Sequence, residues 1–318
     1  MAKKITIENI KFADCPSSAS ECIERAKKLC VELEDGNILF FPTCPFDFPQ
    51  QDIDFLLKQK QNKAKNRKNI AYKPNHDRLT NADVKTHEEM QRLIEVMKNF
   101  SQKSSTFLSK LLTPYGSKWI VDYASFRPFE EKGRKLRIRA RNDLLHTDAF
   151  PSRPMHGNRI LRFFMNINPS EGRKWMTSLS FQELVEKYGG TENLPFPSPI
   201  NQKMPARLGK FFKKTAKNIG FPVSLRSPYD QFMLNLHHFL KENEDFQSKG
   251  PKDHWEFPPG SCWAVFTDSV THAAMQGQYA LEQTFILPRD GLISPEKAPI
   301  SILERVVGWT MTDSSLAN

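Results

Sequence analysis

The chain has 318 residues, the size of one large domain or two modest ones. Apolar residues make up 39% of it, which is enough to bury a core and excludes wholesale disorder. No run of about 18 consecutive apolar residues occurs, so a membrane-spanning helix is excluded. The charged segment 1–12 lacks the apolar stretch of a secretory signal.

The net charge is +10, from 46 basic and 36 acidic residues. It favours an anionic partner such as nucleic acid, an anionic membrane surface or an acidic substrate, although a solvated basic surface has the same composition. The five cysteines include no Cys-x-x-Cys pair and indicate neither a zinc ribbon nor a disulfide framework. We therefore expect reduced thiols in a cytoplasmic protein.

Residues 1–115 predict a mostly helical N-terminal region that packs on the rest of the chain. Apolar residues recur at helical spacing in three of its segments: 18–34, 49–60 and 86–112. Residues 37–41 form an extended apolar run after an Asp-Gly turn. The basic polar run 61–73 is typical of a loop.

Residues 116–290 predict a core of strands with a helical insertion at about 180–246, and residues 291–318 follow as a C-terminal extension. The strand-like runs are 119–129, 136–145, 159–168, 261–267, 271–275 and 278–287. Within the insertion, helices are predicted over 180–188, 203–219 and 229–246. This order favours an antiparallel sandwich or barrel with helices outside it, a mainly β protein of the α+β class, over alternating βαβ units.

The segment His146-Thr147-Asp148 is the most suggestive polar arrangement. On a strand, residues i and i+2 point to the same face, so this imidazole and this carboxylate can converge on one cation. Two histidines and one carboxylate with open positions make the facial triad of non-haem Fe(II) oxygenases, which admits O2 and a co-substrate. About 0.9 His-x-Asp/Glu tripeptides are expected by chance. The sequence has three, so the tripeptide alone is a weak signal.

The other two tripeptides are poorer candidates. The first, His87-Glu88-Glu89, lies in a helical pattern, where residues i and i+2 point about 200° apart. The second, His254-Trp255-Glu256, precedes a Pro-Pro-Gly turn. The second histidine of a facial triad must come from a distant strand, and His272 stands between two strand-like runs. A hydrogen-bonded core histidine is the alternative interpretation of His272.

A 2-oxoglutarate co-substrate needs a basic side chain for its distal carboxylate. Arg162 is the first candidate, because it follows Asp148 on the next predicted strand and a guanidinium binds a carboxylate bidentately. Asn166 shares its face by alternation and offers a further hydrogen bond. Arg127 is the second cationic candidate, and Gln283 is a polar helper on a last strand without Arg or Lys. A surface or ion-pair role is the alternative for each arginine.

Three longer motifs carry a resemblance: 144–154, 159–169 and 271–285. With them the chain resembles the Kdo hydroxylase family, Fe(II)/2-oxoglutarate dioxygenases that act on the 3-deoxy-octulosonic acid (Kdo) sugar of lipopolysaccharide. The resemblance implies a double-stranded β-helix, a jelly-roll relative of the cupins. It also implies that Fe(II), 2-oxoglutarate and O2 are used to hydroxylate C3 of the outer Kdo sugar on lipid A, which gives Ko. His146, Asp148 and His272 are then the iron ligands and catalytic residues.

Two basic segments are compatible with that acidic, lipid-linked substrate. Arg137, Arg139 and Arg141 alternate onto one face of the predicted strand 136–145 and are expected to bind it. The predicted helix 203–219 interleaves basic and aromatic residues: Lys203, Arg207, Lys210, Phe211, Phe212, Lys213, Lys214 and Lys217. Such a helix can lie on an anionic membrane surface, which suggests a peripheral position on the inner face of the inner membrane. A solvated helix with two core phenylalanines is the alternative.

Two other functions fit the same residues. One is an Fe(II)/2-oxoglutarate oxygenase that acts on protein or nucleic acid. No basic tail, zinc finger or nucleic-acid module is visible, so nucleic acid is not expected as a partner. The other is a non-catalytic cupin-like binding module in which the histidines are structural. The sequence makes no prediction about protein partners.

Overall fold

The computed structural model describes residues 1–8, 20–60, 69–198 and 226–312. Within these ranges the chain forms eleven β-strands and seven α-helices. The strands are β1 (Lys4–Thr6), β2 (Ile38–Phe41), β3 (Ile70–Lys73), β4 (Arg78–Thr80), β5 (Ile120–Arg127), β6 (Arg159–Asn166), β7 (Arg173–Ser180), β8 (Asp253–Phe257), β9 (Cys262–Phe266), β10 (Val270–Gln276) and β11 (Ala280–Leu287). The helices are α1 (Ser20–Glu34), α2 (Gln50–Leu57), α3 (His87–Leu111), α4 (Phe181–Tyr188), α5 (Pro228–Glu242), α6 (Glu244–Lys249) and α7 (Pro299–Val307).

The strands form two sheets. The large sheet has the order β1-β2-β9-β6-β11-β5-β3-β4, and the small sheet has the order β10-β7-β8. Neighbouring strands are antiparallel except β1 and β2, which are parallel. An isolated bridge between His146 and His272 adds the segment before Asp148 to the small sheet beside β10. The topology therefore brings His146 and His272, which are far apart in sequence, to one edge of the small sheet.

The large sheet is packed between the small sheet and the helices, as its central strand β6 demonstrates. Successive side chains of a strand point to opposite faces. The ring of Phe164 lies 5.0 Å from Trp175 of the small sheet and 5.1 Å from Trp263. On the opposite face, the ring of Phe163 lies 6.2 Å from Phe107 of α3. Both faces of β6 are consequently buried, which explains its unbroken run of buried residues.

Side-chain caps determine where three of the helices begin. Thr86 accepts a hydrogen bond from a backbone N–H of the first turn of α3, and capping boxes start α4 at Ser180 and α5 at Ser227. Each cap satisfies backbone N–H groups that have no partner within the helix. The cap of α5 matters for function, because this helix carries His237 and Lys241 to the cavity described below.

The helices predicted over 18–34, 49–60, 86–112 and 180–188 are confirmed, and the segment 229–246 forms α5 and part of α6. The predicted strand 136–145 is wrong: Ile138–Ala140 forms a 3-10 helix, and the flanking residues form no strand. Strands β7 and β8 were not predicted, since their sequences lack a clean alternation. The predicted helix 203–219, with all its basic residues and both phenylalanines, lies outside the described residues.

The N-terminal region is less purely helical than predicted. It contributes β1 to β4 to both ends of the large sheet, and β3 lies in the segment predicted as a loop. The domain boundaries after residues 115 and 290 stay predictions. Cys30, Cys44 and Cys262 are free thiols, but Cys22 is disulfide-bonded, so the expectation of reduced cysteines is wrong there.

Candidate metal centre

The three predicted metal ligands, His146, Asp148 and His272, lie together in the structure. One ligand atom of each lies within 4.8 Å of the other two. His146 Nε2 is 3.7 Å from Asp148 Oδ1, and the two imidazole centroids are 4.7 Å apart. Two backbone hydrogen bonds of 3.0 and 2.9 Å join His146 to His272, and the Asp148 N–H donates to the Thr267 carbonyl at 2.7 Å. The backbone therefore fixes all three ligands.

Both imidazole rings are oriented by main-chain carbonyl groups. His146 Nδ1 donates to the Leu144 carbonyl oxygen at 2.7 Å, and His272 Nδ1 donates to the Val270 carbonyl oxygen at 2.8 Å. A carbonyl oxygen only accepts, so each neutral ring carries its proton on Nδ1 and leaves the Nε2 lone pair for a metal. The indole of Trp175 stacks on the His272 ring at 5.2 Å and restricts its rotation.

The electrostatics of the site favour metal binding. Burial lowers the pKa of His146 well below its ordinary value of 6.5, and burial also lowers the pKa of His272. Burial alone would raise the pKa of Asp148, but the charge of Arg162, together with the neighbouring histidines and a hydrogen bond from Thr267, outweighs burial and lowers that pKa. At neutral pH the site thus offers two neutral imidazoles and one carboxylate, with no proton to displace on metal binding.

A cavity of about 290 Å³ opens in front of these ligands and is rich in positive charge. The basic side chains that line it are Arg127, Arg139, Arg162, Arg173 and Lys241. Carboxylates beside it form ion pairs with four of them: Glu282 with Arg127 and Arg162, Glu131 with Arg127 and Arg173, and Glu242 with Arg139. Among the described residues Asp148 is the acidic side chain in the lining itself. The lining therefore suits an anionic ligand.

Arg162, the first candidate for the distal carboxylate of 2-oxoglutarate, lies beside the three candidate metal ligands. The residue is 9% exposed and lines the cavity beside the candidate metal ligands. Nη2 is 3.0 Å from Asp148 Oδ2, and Nη1 donates to Glu282 Oε1 at 2.7 Å. Its buried Nε has no hydrogen-bond partner among the described residues. Arg127 lines the same cavity and pairs with the other oxygen of Glu282, so the two cationic candidates share one carboxylate.

Two other residues predicted to bind 2-oxoglutarate are engaged elsewhere. The amide of Asn166 donates to the carbonyl oxygens of Glu171 and Phe257, each at 3.0 Å, because the residue lies at the end of β6 beside a turn. The amide of Gln283 donates to the Asp122 carbonyl at 2.9 Å, on the face of β11 opposite Glu282. Neither side chain lines the cavity, so the structure does not bring them to the metal ligands, and both assignments stay predictions.

The three arginines predicted to share a strand face separate from one another. In place of a strand, the chain turns through the 3-10 helix between Arg137 and Arg141. Arg137 is exposed, and Arg141 pairs with Asp143 at 2.6 Å. Of the three, Arg139 lines the cavity, so the structure does not present them on one face, and their role in substrate binding stays a prediction.

Comparison with known proteins identifies the family. The family model described as 3-deoxy-D-manno-oct-2-ulosonic acid (Kdo) hydroxylase matches residues 17–310. The chain belongs to the Kdo hydroxylase family. The match covers all three metal ligands and every residue of the cavity lining, so the predicted resemblance is confirmed.

Solved structures of a Kdo hydroxylase agree with this membership. The chain is 34% identical to the Kdo hydroxylase KdoO, a non-heme Fe(II) alpha-ketoglutarate-dependent dioxygenase, in complex with alpha-ketoglutarate and Fe(III). The alignment covers 98% of this chain and 97% of KdoO, with a TM-score of 0.79. The cobalt(II) complex of KdoO gives 34% identity, 98% coverage of both chains and a TM-score of 0.80. The search of curated proteins gave no match.

Four features of this Kdo hydroxylase site escaped the sequence analysis. Arg173, 1% exposed, lines the cavity with an Nε that has no partner in the described part of the chain. Lys241, 2% exposed, lines it from α5 and donates to the Arg139 carbonyl at 3.2 Å. His237 meets the His146 ring edge-on at 5.1 Å. Glu282 was the one detectable signal, as the single charged residue of β11.

The residues present fit a ferrous ion and an acidic co-substrate. Two imidazole nitrogens and one carboxylate oxygen are a donor set that Fe(II) oxygenases use. The Nε atoms of Arg162 and Arg173 are buried donors without partners among the described residues, and a buried N–H of this kind favours an acceptor ligand. No helix within the described ranges is both long and apolar enough to cross a bilayer.

Proposed function

We propose that the chain is an Fe(II)/2-oxoglutarate-dependent dioxygenase that hydroxylates C3 of the outer Kdo sugar of Kdo-lipid A, which gives Ko. The observation that carries the proposal is the convergence of His146, Asp148 and His272 at the base of a cationic cavity, in a member of the Kdo hydroxylase family. The solved relative KdoO binds alpha-ketoglutarate and iron. A non-catalytic module would not need three ligand atoms so close together.

The strand order supports a double-stranded β-helix core. Strands β5, β11, β6 and β9 are neighbours in the large sheet, and the segment at His146 with β10, β7 and β8 forms the facing one. Eight antiparallel strands in two facing sheets are the arrangement of a jelly roll. Both histidine ligands lie at the edge where the small sheet meets the cavity.

Within this core, His146, Asp148 and His272 would hold the iron. When bound, Fe(II) supplies the redox chemistry that couples oxidation of 2-oxoglutarate by O2 to insertion of one oxygen atom into a C–H bond, with release of succinate and CO2. The chain's own contribution is to fix both imidazole rings by their Nδ1 hydrogen bonds. Arg162 and the other polar groups around Asp148 lower the pKa of its carboxyl and so keep it ionised.

We assign the distal carboxylate of 2-oxoglutarate to Arg162. It lies beside Asp148, its Nε is an available donor, and its partner Glu282 holds the guanidinium in place. Arg127 is the alternative, because it shares Glu282 from the neighbouring strand. A carboxylate that enters between the two arginines gains charge-assisted hydrogen bonds in a buried site.

The remaining cations of the cavity supply charge complementarity for the sugar acid. Arg139, Arg173 and Lys241 line the cavity, and the Kdo sugar carries its own carboxylate. Because Lys241 lies on α5 next to the histidine ligands, a carboxylate bound there would place the adjacent sugar carbons near the metal. This is compatible with attack at a carbon close to the carboxylate.

The location of the protein is part of the same proposal. A lipid-linked substrate requires a peripheral contact with the anionic surface that presents it, and we expect this at the cytoplasmic face of the inner membrane. The insertion helix predicted to make that contact lies outside the described residues. The net charge of +10 agrees with such a surface.

The test is turnover of purified protein with Fe(II), 2-oxoglutarate, O2 and Kdo-bearing lipid A. The expected product gains one oxygen atom on the outer Kdo sugar, with one succinate formed per product, as measured by mass spectrometry. His146→Ala serves as the matched inactive control. Turnover that is unchanged in His146→Ala, or 2-oxoglutarate consumption without any change in the Kdo sugar, would contradict the proposal.

A further inference from the structure

The segment 128–141, here called the cavity rim, connects β5 to the metal-binding segment. Its inner side is fixed to the rest of the site. Glu131 is buried and lies 3.4 Å from the Arg173 guanidinium, and the Gln278 side chain donates to the Pro128 carbonyl at 2.6 Å. The rim is therefore held as a defined structure against the cavity wall.

The cavity rim borders the opening of the cavity. Arg139 lines the cavity, yet its side chain is 58% exposed, so the cavity reaches the surface at this residue. The rim is tied to α5 at the same point, because Lys241 donates to the Arg139 carbonyl and Glu242 accepts from the Arg139 guanidinium at 2.5 Å. The rim therefore lies beside an entrance to the cavity.

The outer side of the rim combines positive charge with exposed apolar groups. Residues 132–141 contain no acidic residue and six basic ones: Lys132, Arg134, Lys135, Arg137, Arg139 and Arg141. Lys132, Lys135 and Arg137 are exposed and form no ion pair within the described residues. Phe129 is 37% exposed and Ile138 is 44% exposed, which puts both among the few large apolar side chains on the described surface.

We propose that the cavity rim docks on an anionic lipid bilayer, with Lys132, Lys135 and Arg137 at the headgroups and Phe129 and Ile138 in the interface. Basic residues beside apolar ones are the combination that holds a peripheral protein at such a surface. Nucleic acid would satisfy the cations but offers no apolar surface for Phe129 and Ile138, whereas the bilayer interface offers both. The inference rests on the proposed lipid-linked substrate, whose sugar would then meet the cavity opening directly.

The experiment compares two pairs of rim variants with matched controls. The charge variant is Lys132→Glu with Lys135→Glu, and its control is Lys28→Glu with Lys58→Glu, which changes the net charge equally at exposed sites on or beside α1 and α2. The apolar variant is Phe129→Ser with Ile138→Ser. Its control is Ile293→Ser with Val306→Ser, which are exposed to similar degrees, 39% and 51%.

Each protein is sedimented with phosphatidylcholine vesicles that contain about one third phosphatidylglycerol, and turnover is measured with vesicle-bound Kdo-lipid A and with a water-soluble Kdo glycoside. We expect both rim variants to bind the vesicles about tenfold or more weakly than their controls. They should also turn over the vesicle-bound substrate more slowly, with unchanged turnover of the glycoside. Added salt should weaken binding of the wild type.

Three results would overturn the inference: a wild type that does not bind the vesicles, rim variants that bind like their controls, or a charge variant that loses affinity while the apolar variant does not. The last result would show that Phe129 and Ile138 do not enter the interface and that the rim binds the vesicles by charge alone, as it would any anionic surface. Failure of the proposed function has a different signature, since the wild type would then oxidise neither the glycoside nor the lipid, whatever the vesicle binding.

Discussion

Arg159 and Arg162 lie three residues apart on the same central strand, in two different regions of the molecule. Arg159 is fully buried on the face of β6 toward the helices. Its Nε donates to Asp268 at 2.7 Å, its Nη2 donates to Ser269 at 2.7 Å, and its guanidinium lies 4.0 Å over the Phe266 ring. This arginine is part of the packed interior.

Arg162 points to the opposite face, because an odd offset along a strand reverses the side of the sheet. Its guanidinium divides its contacts between Asp148 and Glu282 and borders an open cavity. Each guanidinium keeps one buried nitrogen without a partner among the described residues, Nη1 in Arg159 and Nε in Arg162. Arg162 differs in that it borders a cavity that a ligand can enter. The same residue type is thus structural on one face and, we propose, functional on the other.

The largest effect is expected at the metal centre itself. His272→Ala removes one of three ligands and should reduce turnover below detection, while the chain stays folded because the ring is neutral and makes one main-chain hydrogen bond. Fe(II) titration and thermal unfolding measure the two properties separately. A variant that retains turnover would show that the iron is held by other residues.

Replacing the structural arginine should affect stability and not binding. Arg159→Met leaves Asp268 buried without its partner and should lower the free energy of unfolding by about 3–5 kcal/mol, as measured in urea. The double variant Arg159→Met with Asp268→Leu should recover much of this loss. The KM for 2-oxoglutarate should not change, and a rise in KM would abolish the distinction between the two arginines.

Replacing Arg162, the arginine that lines the cavity, should weaken binding of 2-oxoglutarate and change stability little. Arg162→Lys keeps the charge but loses the bidentate geometry, so the KM for 2-oxoglutarate should rise about ten- to a hundredfold, with a small change in stability. Steady-state kinetics at saturating Kdo substrate give this value. Arg127→Lys is the matched control, and a larger increase there would assign the carboxylate to Arg127.

A smaller effect, on the stability of the metal-free protein, is expected when the pH is lowered. Burial, together with the charge of Lys241, lowers the pKa of His237 from 6.5 to about 4. Between these values the unfolded chain binds a proton that the folded chain does not, so the metal-free protein should lose stability as the pH falls from about 7 to 4. The buried histidines at 146 and 272 act in the same direction. When urea unfolding is measured at several pH values, the free energy of unfolding of His237→Gln should depend less steeply on pH than that of the wild type.

The sequence was sufficient to predict that His146, Asp148 and His272 lie together, but not to predict the cavity wall around them. The i, i+2 spacing of His146 and Asp148 is local, and the motif around His272 was specific enough to identify its partner. Arg173, Lys241 and Glu282 reach the cavity from β7, α5 and β11, and only the pairing of the strands and the packing of α5 bring them together. No spacing along the chain contains that information.

The errors have physical causes as well. The run from Arg137 to Arg141 alternates like a strand, but the Arg141 N–H donates to the Ile138 carbonyl and closes a 3-10 turn. By strand alternation, Asn166 is expected on the same face of β6 as Arg162. Because β6 ends at that residue, its amide is taken up by the carbonyl groups of the neighbouring turn. Strand alternation predicts the side of a sheet, but local hydrogen bonds decide where a strand begins and ends.

The central claim is that one histidine–aspartate–histidine cluster holds the iron and that Arg162 holds the co-substrate beside it. A crystal structure with Fe(II) and 2-oxoglutarate, grown without O2, tests both parts at once. We expect metal bonds of about 2.0–2.2 Å to His146 Nε2, Asp148 and His272 Nε2, and the distal carboxylate on the Arg162 guanidinium. Iron bound elsewhere would contradict the account, and so would 2-oxoglutarate with its distal carboxylate turned away from Arg162.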